Sequence, residues 1–146
     1  MKSFWFIILV ITATGCKTHS KCEIDLYQSY YASAADAYLT LKLLDRNETR
    51  KAQTLAVSTL QVSLSELRKL AKNADSLDLD RHQALTSRLL KYSETNKAAL
   101  AEIDFSLPML TELKRMLTDE SDIRRVTDII EYVNRNSTNQ FEPFDP

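Results

Sequence analysis

The stretch CEIDLYQSYYASAADAYLTLKLLD, residues 22–45, spaces its apolar positions at steps of three and four: Ile24, Tyr27, Tyr31, Ala34, Tyr38 and Leu41. At 3.6 residues per turn the six fall on one stripe, the pattern of a helix that buries one face. The spacing predicts a helix over 22–45. Tyr27, Tyr31 and Tyr38 share the stripe and read as core. Tyr30 lies about 60° or more off its centre at 100° per residue. It is the tyrosine that the pattern leaves for contact with a partner.

The same period continues outward from this helix. Asp45 and Asn47, with Glu48 three residues after Asp45, mark a turn with capping-box spacing. A second helix is expected over 48–73, with Val57, Leu60, Leu64, Leu67 and Ala71 as its stripe and Leu55, Val62 and Leu70 widening it. Stop and cap residues cluster at Asn73–Asp78. A third helix over 79–103 carries His82, Leu85, Leu89, Tyr92, Asn96, Ala99 and Ile103 at the same spacing, with two polar residues on its seam. Ser106 with Pro108 reads as the start of a fourth near 107. That helix runs through Met109, Leu113, Met116, Ile123, Val126, Ile130 and Val133, with a kink at the polar Thr118–Asp122. Helices of about 25 residues are each roughly 38 Å long at 1.5 Å per residue and match as neighbours. The fold expected is therefore all-α: an antiparallel up-down bundle of about four helices over 22–134. Residues 135–146 read as a mobile polar tail.

Composition narrows the function classes. The chain has one glycine, Gly15, and its prolines are Pro108, Pro143 and Pro146. A Walker A loop, a Rossmann fingerprint and a G-x-S-x-G elbow all require glycines that residues 16–146 lack. Lysine plus arginine number 19 against 20 acidic residues, a net charge of −1, which points to no nucleic-acid partner.

Residues 1–16 read as an address rather than as part of the bundle. Lys2 gives a positive start, Phe4–Ile11 a short apolar run, and the small residues Ala13-Thr14-Gly15 lead to Cys16. That is the build of a secretory signal, too short for a membrane span, which needs about 20 apolar residues. The segment resembles a bacterial lipoprotein signal, whose lipobox sets a small or aliphatic residue, then Ala, Ser or Thr, then Gly or Ala before the cysteine. The resemblance covers the signal alone. It implies cleavage of 1–15, acylation of Cys16 (palmitate among the chains) and residence in the cell envelope through a lipid anchor. Each buried methylene contributes about 0.8 kcal/mol, so two or three chains hold the protein firmly. Lys17 rather than aspartate after the cysteine resembles the outer-membrane pattern, so the periplasmic face of the outer membrane is favoured over the inner membrane.

If lipid takes the Cys16 thiol, Cys22 has no intramolecular partner, because the chain has two cysteines. Two readings stand: Cys22 packs on an apolar helix face, or it forms an intermolecular disulfide in a parallel homodimer. Residues 17–21 form a tether that spans at most roughly 18 Å when extended. The folded body is thus expected close to the bilayer.

Candidates for chemistry are few. Apart from His19 in the tether, His82 is the one histidine, and on an apolar stripe it reads as a hydrogen-bonded boundary residue. No ferritin-like or zinc pattern includes it. Asp75, Asp78 and Asp80, and then Asp119, Glu120 and Asp122, read as helix caps rather than as a calcium loop. Neither a metal, a cofactor nor a catalytic site is expected. Phe141 and Phe144 in the tail either cover an apolar edge of the bundle or dock on a partner. The function expected is a membrane-anchored protein-interaction module, a scaffold or an inhibitor of immunity or exclusion type, whose partner is another envelope protein. The alternative is a helical carrier of a lipid or small apolar ligand.

Overall fold

The computed structural model describes the backbone of residues 4–44, 50–70 and 79–137, and side chains over 23–43, 50–70 and 80–137. Among these residues the chain is all-helical, a helical bundle of α1 (Phe4–Leu44), α2 (Arg50–Leu70), α3 (Leu79–Thr95), α4 (Lys97–Leu100), α5 (Ser106–Met116) and α6 (Glu120–Asn136). The expected all-α class holds; six helices stand where about four were expected. The side chains of Cys16, Cys22, Phe141 and Phe144, the cap at Asp45–Glu48, and Asp75 and Asp78 lie outside the described residues. Among the described residues no helix is long and apolar enough to cross a membrane.

α1 begins well before residue 22. It runs unbroken through Gly15 and the expected tether, since 16–44 contain no glycine or proline to end it. Its buried line is Tyr27, Ala34 and Leu41, two turns apart, with Ala37 beside them. Ile24, expected in the core, is exposed, and Tyr31 and Tyr38 are only half-buried.

α1 packs along α2, α2 on α5, and α5 on α6, while α3 lies against α5 and α6 and α4 against α6. Of the expected α2 stripe, Val57, Leu60, Leu64 and Leu67 are fully buried, and Ala71 lies outside the described residues. Leu55 and Val62 do not widen it. Each lies two residues from a core position, Val57 or Leu60, about 160° around the helix at 100° per residue, and both are exposed.

Two expected long helices are each divided. The third stops at Asn96, whose backbone N–H and side-chain amide both donate to the Tyr92 carbonyl at 3.0 Å. A side chain that competes for a helix carbonyl favours a break. Beyond it the buried face shifts by a residue, so Leu100 and Ala101 are buried and Ala99 is exposed. The fourth is not one kinked helix but α5 and α6, separated by Leu117–Asp119. Asp119 caps α6, its Oδ1 accepting from the N–H groups of Ser121 at 2.9 Å and Asp122 at 3.1 Å.

α5 starts differently from the sequence expectation. Its N-cap is Phe105, in the left-handed region at φ 68°, and not a serine; Ser106 Oγ is buried and makes no hydrogen bond. Between α4 and α5 the chain buries Ala101, Ile103 and Ser106 while leaving Glu102, Asp104 and Phe105 outside. Phe105 takes the turn that a glycine would make elsewhere. Left-handed backbone costs a residue with a Cβ roughly 1–2 kcal/mol, and a β-branched one more. Phe105→Gly is therefore expected to hold or raise the urea midpoint, and Phe105→Val to lower stability by about 1 kcal/mol relative to wild type.

Candidate functional site

Four arrangements bear on function: the tyrosine row of α1, the exposed aliphatic residues of α1 and α2, the charged cleft between α3, α4 and α6, and the buried carboxylate of α5. The tyrosines are committed to packing. Tyr27 and Tyr31 stack with ring centroids 6.5 Å apart. Tyr38 meets Tyr92 of α3 edge to face at 5.9 Å. Tyr27 Oη lies 3.4 Å from His82 Nδ1, so the row forms a seam between α1 and α3. Tyr30 is half-buried and packs on the core as Tyr31 and Tyr38 do.

Large apolar side chains instead face outward on the two helices that open the bundle. Leu39 and Leu43 are one turn apart on α1, and Leu43 is 79% exposed. Leu55, at 69%, and Val62 are two turns apart on α2. Single exposed leucines are ordinary on a protein surface; on α1 and α2 these four, with Ile24 and Leu26 nearer the start of α1, leave apolar area outside the core.

The cleft has a volume of about 230 Å³ and is lined by Glu94, Lys97, Arg125, Asp128 and Ile129. Arg125 donates from Nε and Nη2 to the two Glu94 oxygens, both at 2.7 Å, and from Nη1 to Asp122 at 2.6 Å. This fork-to-carboxylate geometry fixes α6 on α3. The hydrogen bonds from Arg125 hold the Glu94 carboxyl below the usual carboxylate range, and Glu94 and Asp122 keep the guanidinium more firmly protonated. Lys97 Nζ sits 4.7 Å above the Tyr132 ring, a cation–π contact from α4 to α6. Ligand clefts commonly enclose about 300–1,000 Å³. This one is smaller, and its arginine serves as a brace.

Glu112 is the group that sequence reading missed. It is buried on α5 and accepts from Arg68 of α2 and from Arg115, each at 2.8 Å. The available signal was its position: Glu112 falls on the face of Met109, Leu113 and Met116, inside the stripe. Among the described residues no three His, Cys, Asp or Glu side chains come together as a metal site. Searches against protein families, curated proteins and solved structures find no match for the chain.

The Glu112 triad is testable by stability. Glu112→Gln keeps the shape but removes the charge from both hydrogen bonds, and charge-assisted bonds contribute about 1.5–3 kcal/mol each at most. A loss of about 1–2 kcal/mol in urea unfolding is expected, with a double-mutant cycle against Arg68→Met showing coupling.

Proposed function

We propose that the chain is an envelope lipoprotein, anchored through Cys16, that acts as a protein-interaction module of scaffold or inhibitor type. The observation that carries this reading is the outward placement of Leu39, Leu43, Leu55 and Val62 on α1 and α2. α1 gives that surface a direction. At 1.5 Å per residue Leu43 lies roughly 40 Å along the helix from Cys16, so a lipid there sets Leu39 and Leu43 at the end remote from the bilayer, while the exposed Ile24 and Leu26 lie within about 15 Å of it. A protein partner in the periplasm is the occupant suited to a surface so placed, and Lys17 supports the outer membrane as the site of anchorage. Tyr30, half-buried on the core, contributes to partner binding only the part of its ring left outside.

Crosslinking in producing cells, with the protein recovered through an internal tag, tests the reading. A stoichiometric protein partner is expected with the wild-type chain. It should be lost with Cys16→Ser, and lost with Leu43→Lys plus Leu55→Lys at unchanged melting temperature. Recovery of the protein alone, under conditions that capture a known envelope complex, overturns the proposal.

A further inference from the structure

One end of the molecule gathers exposed apolar residues, and the chain beyond α6 leaves from it. Ser63 Oγ donates to Ser33 Oγ at 3.2 Å. At 1.5 Å per residue that contact is about 17 Å before the end of α1 and about 20 Å after the start of α2. The six steps of chain from Leu44 to Arg50 span at most roughly 21 Å, so α2 can only run back along α1. Leu43 and Leu55 therefore stand at one level, both exposed, with the exposed Leu39 one turn before Leu43.

Other elements reach the same level. Arg50, the first residue of α2, pairs with Glu102 just past α4 at 3.2 Å, and three residues on, Phe105 is half-exposed. Glu94 meets Arg125, and Lys97 Nζ lies 4.7 Å from the Tyr132 ring, so α6 runs in the same sense as α3 into α4. The last turn of α6 is thereby carried to the Arg50 end, and residues 138–146 start from there.

We propose that the segment Gln140–Pro146 of this chain docks on that end of the bundle, with Phe141 and Phe144 against Leu39, Leu43 and Leu55. Reach permits it: Phe141 is four residues beyond Ser137 and Phe144 seven, up to roughly 14 and 25 Å of extended chain. Tethering favours it, since a short flexible linker holds a segment near its site at an effective concentration of about millimolar, where a weak contact is occupied. Neither an anchor at Cys16 nor a partner is needed. A partner that takes the same leucines has to displace the tail, which makes the tail an internal competitor for the surface.

The segment matches the surface in charge as well as in apolar character. Phe141-Glu142-Pro143-Phe144-Asp145 carries two aromatic and two acidic residues, each pair three apart. Pro143 restricts Glu142 to extended backbone. In a polyproline II segment of three residues per turn, the phenylalanines share one edge about 9 Å apart and the carboxylates share another. On the bundle, Lys42 adjoins Leu43 and Lys51 is one helical turn before Leu55; both lysines are exposed, and neither pairs with a described carboxylate. The other end of α1 is unsuited to the same segment. There the exposed Ile24 and Leu26 are flanked by Glu23 and Asp25, which repel acidic residues.

The test uses the purified full chain with Cys16→Ser and Cys22→Ser, so that no partner competes and no other thiol interferes. Two cysteine pairs are oxidised in dilute solution. One joins Pro146→Cys to Thr40→Cys, beside Leu39 and Leu43; the other joins Pro146→Cys to Ser29→Cys, about 17 Å nearer the start of α1. Thr40 and Ser29 are both exposed. The first pair is expected to close within one chain about tenfold faster than the second, and Phe141→Ser with Phe144→Ser to remove the difference. In the chain with no other substitution, nuclear Overhauser contacts from the two phenylalanine rings to the Leu43 and Leu55 methyl groups are expected, and they decide if a variant does not fold. Equal rates for the two pairs, a difference that survives loss of both phenylalanines, a disulfide between chains in place of one within a chain, or absence of the ring-to-methyl contacts overturns the docking. The partner proposed above is tested separately, by crosslinking in cells.

Discussion

Every turn after Gly15 has to be made by residues that carry a Cβ, and that constraint shapes the whole bundle. Helices persist until a side chain ends them. α1 runs for 41 residues, through the point where sequence reading began it, because nothing within residues 16–44 stops a helix. Where the chain must reverse tightly between α4 and α5, no glycine is available and Phe105 accepts positive φ, the one such residue among those described. Burial on either side holds it there. Ile103 and Ser106 are both inside, and a phenylalanine with a half-exposed ring is the hinge between them.

The stripe and the cap that come from apolar periodicity and acidic residues were legible; the break at 117–119, read as a kink, and the break that comes from one side chain were not. The α2 stripe and the Asp119 cap follow from spacing and composition alone. Asn96 was read as a polar member of a continuous seam, because its step from Tyr92 is a helical one, yet its amide takes the Tyr92 carbonyl and the helix stops. Leu55 and Val62 illustrate the opposite error. A leucine counts toward a stripe by its chemistry, while its place around the helix puts it in water. Glu112 failed for a third reason: its charge suggested a solvated face, and only the meeting of α2 with α5 shows that Arg68 and Arg115 make its burial tolerable.

Ion pairs also tie the helices to one another around the apolar core. Arg125 braces α6 to α3, Arg68 and Glu112 brace α2 to α5, and Arg50 reaches Glu102 beyond α4 at 3.2 Å. They differ in weight. The Arg50 pair is exposed on both sides, where such contacts contribute about 0–1 kcal/mol, whereas the Glu112 carboxylate is withdrawn from water and depends on its partners. The α1–α3 seam has no ion pair among these and relies on aromatic contact and on His82.

Tyr27 lies roughly 16 Å from Cys16 along the helix and Leu43 roughly 40 Å, at 1.5 Å per residue. The helical path through residues 17–21 covers about 8 Å, less than half the extended reach of the same five residues, so under the proposed anchorage the body is held nearer the bilayer and less free to turn. A rigid α1 then couples two properties that a flexible tether would separate. Under that anchorage the Tyr27 end of α1 is set toward the bilayer, and Leu39 and Leu43 are set away from it, where a partner would meet them. α1 packs on α2 and is held to α3 by the Tyr38–Tyr92 contact, so the helix that presents Leu39 and Leu43 is fixed by the core and the aromatic row together.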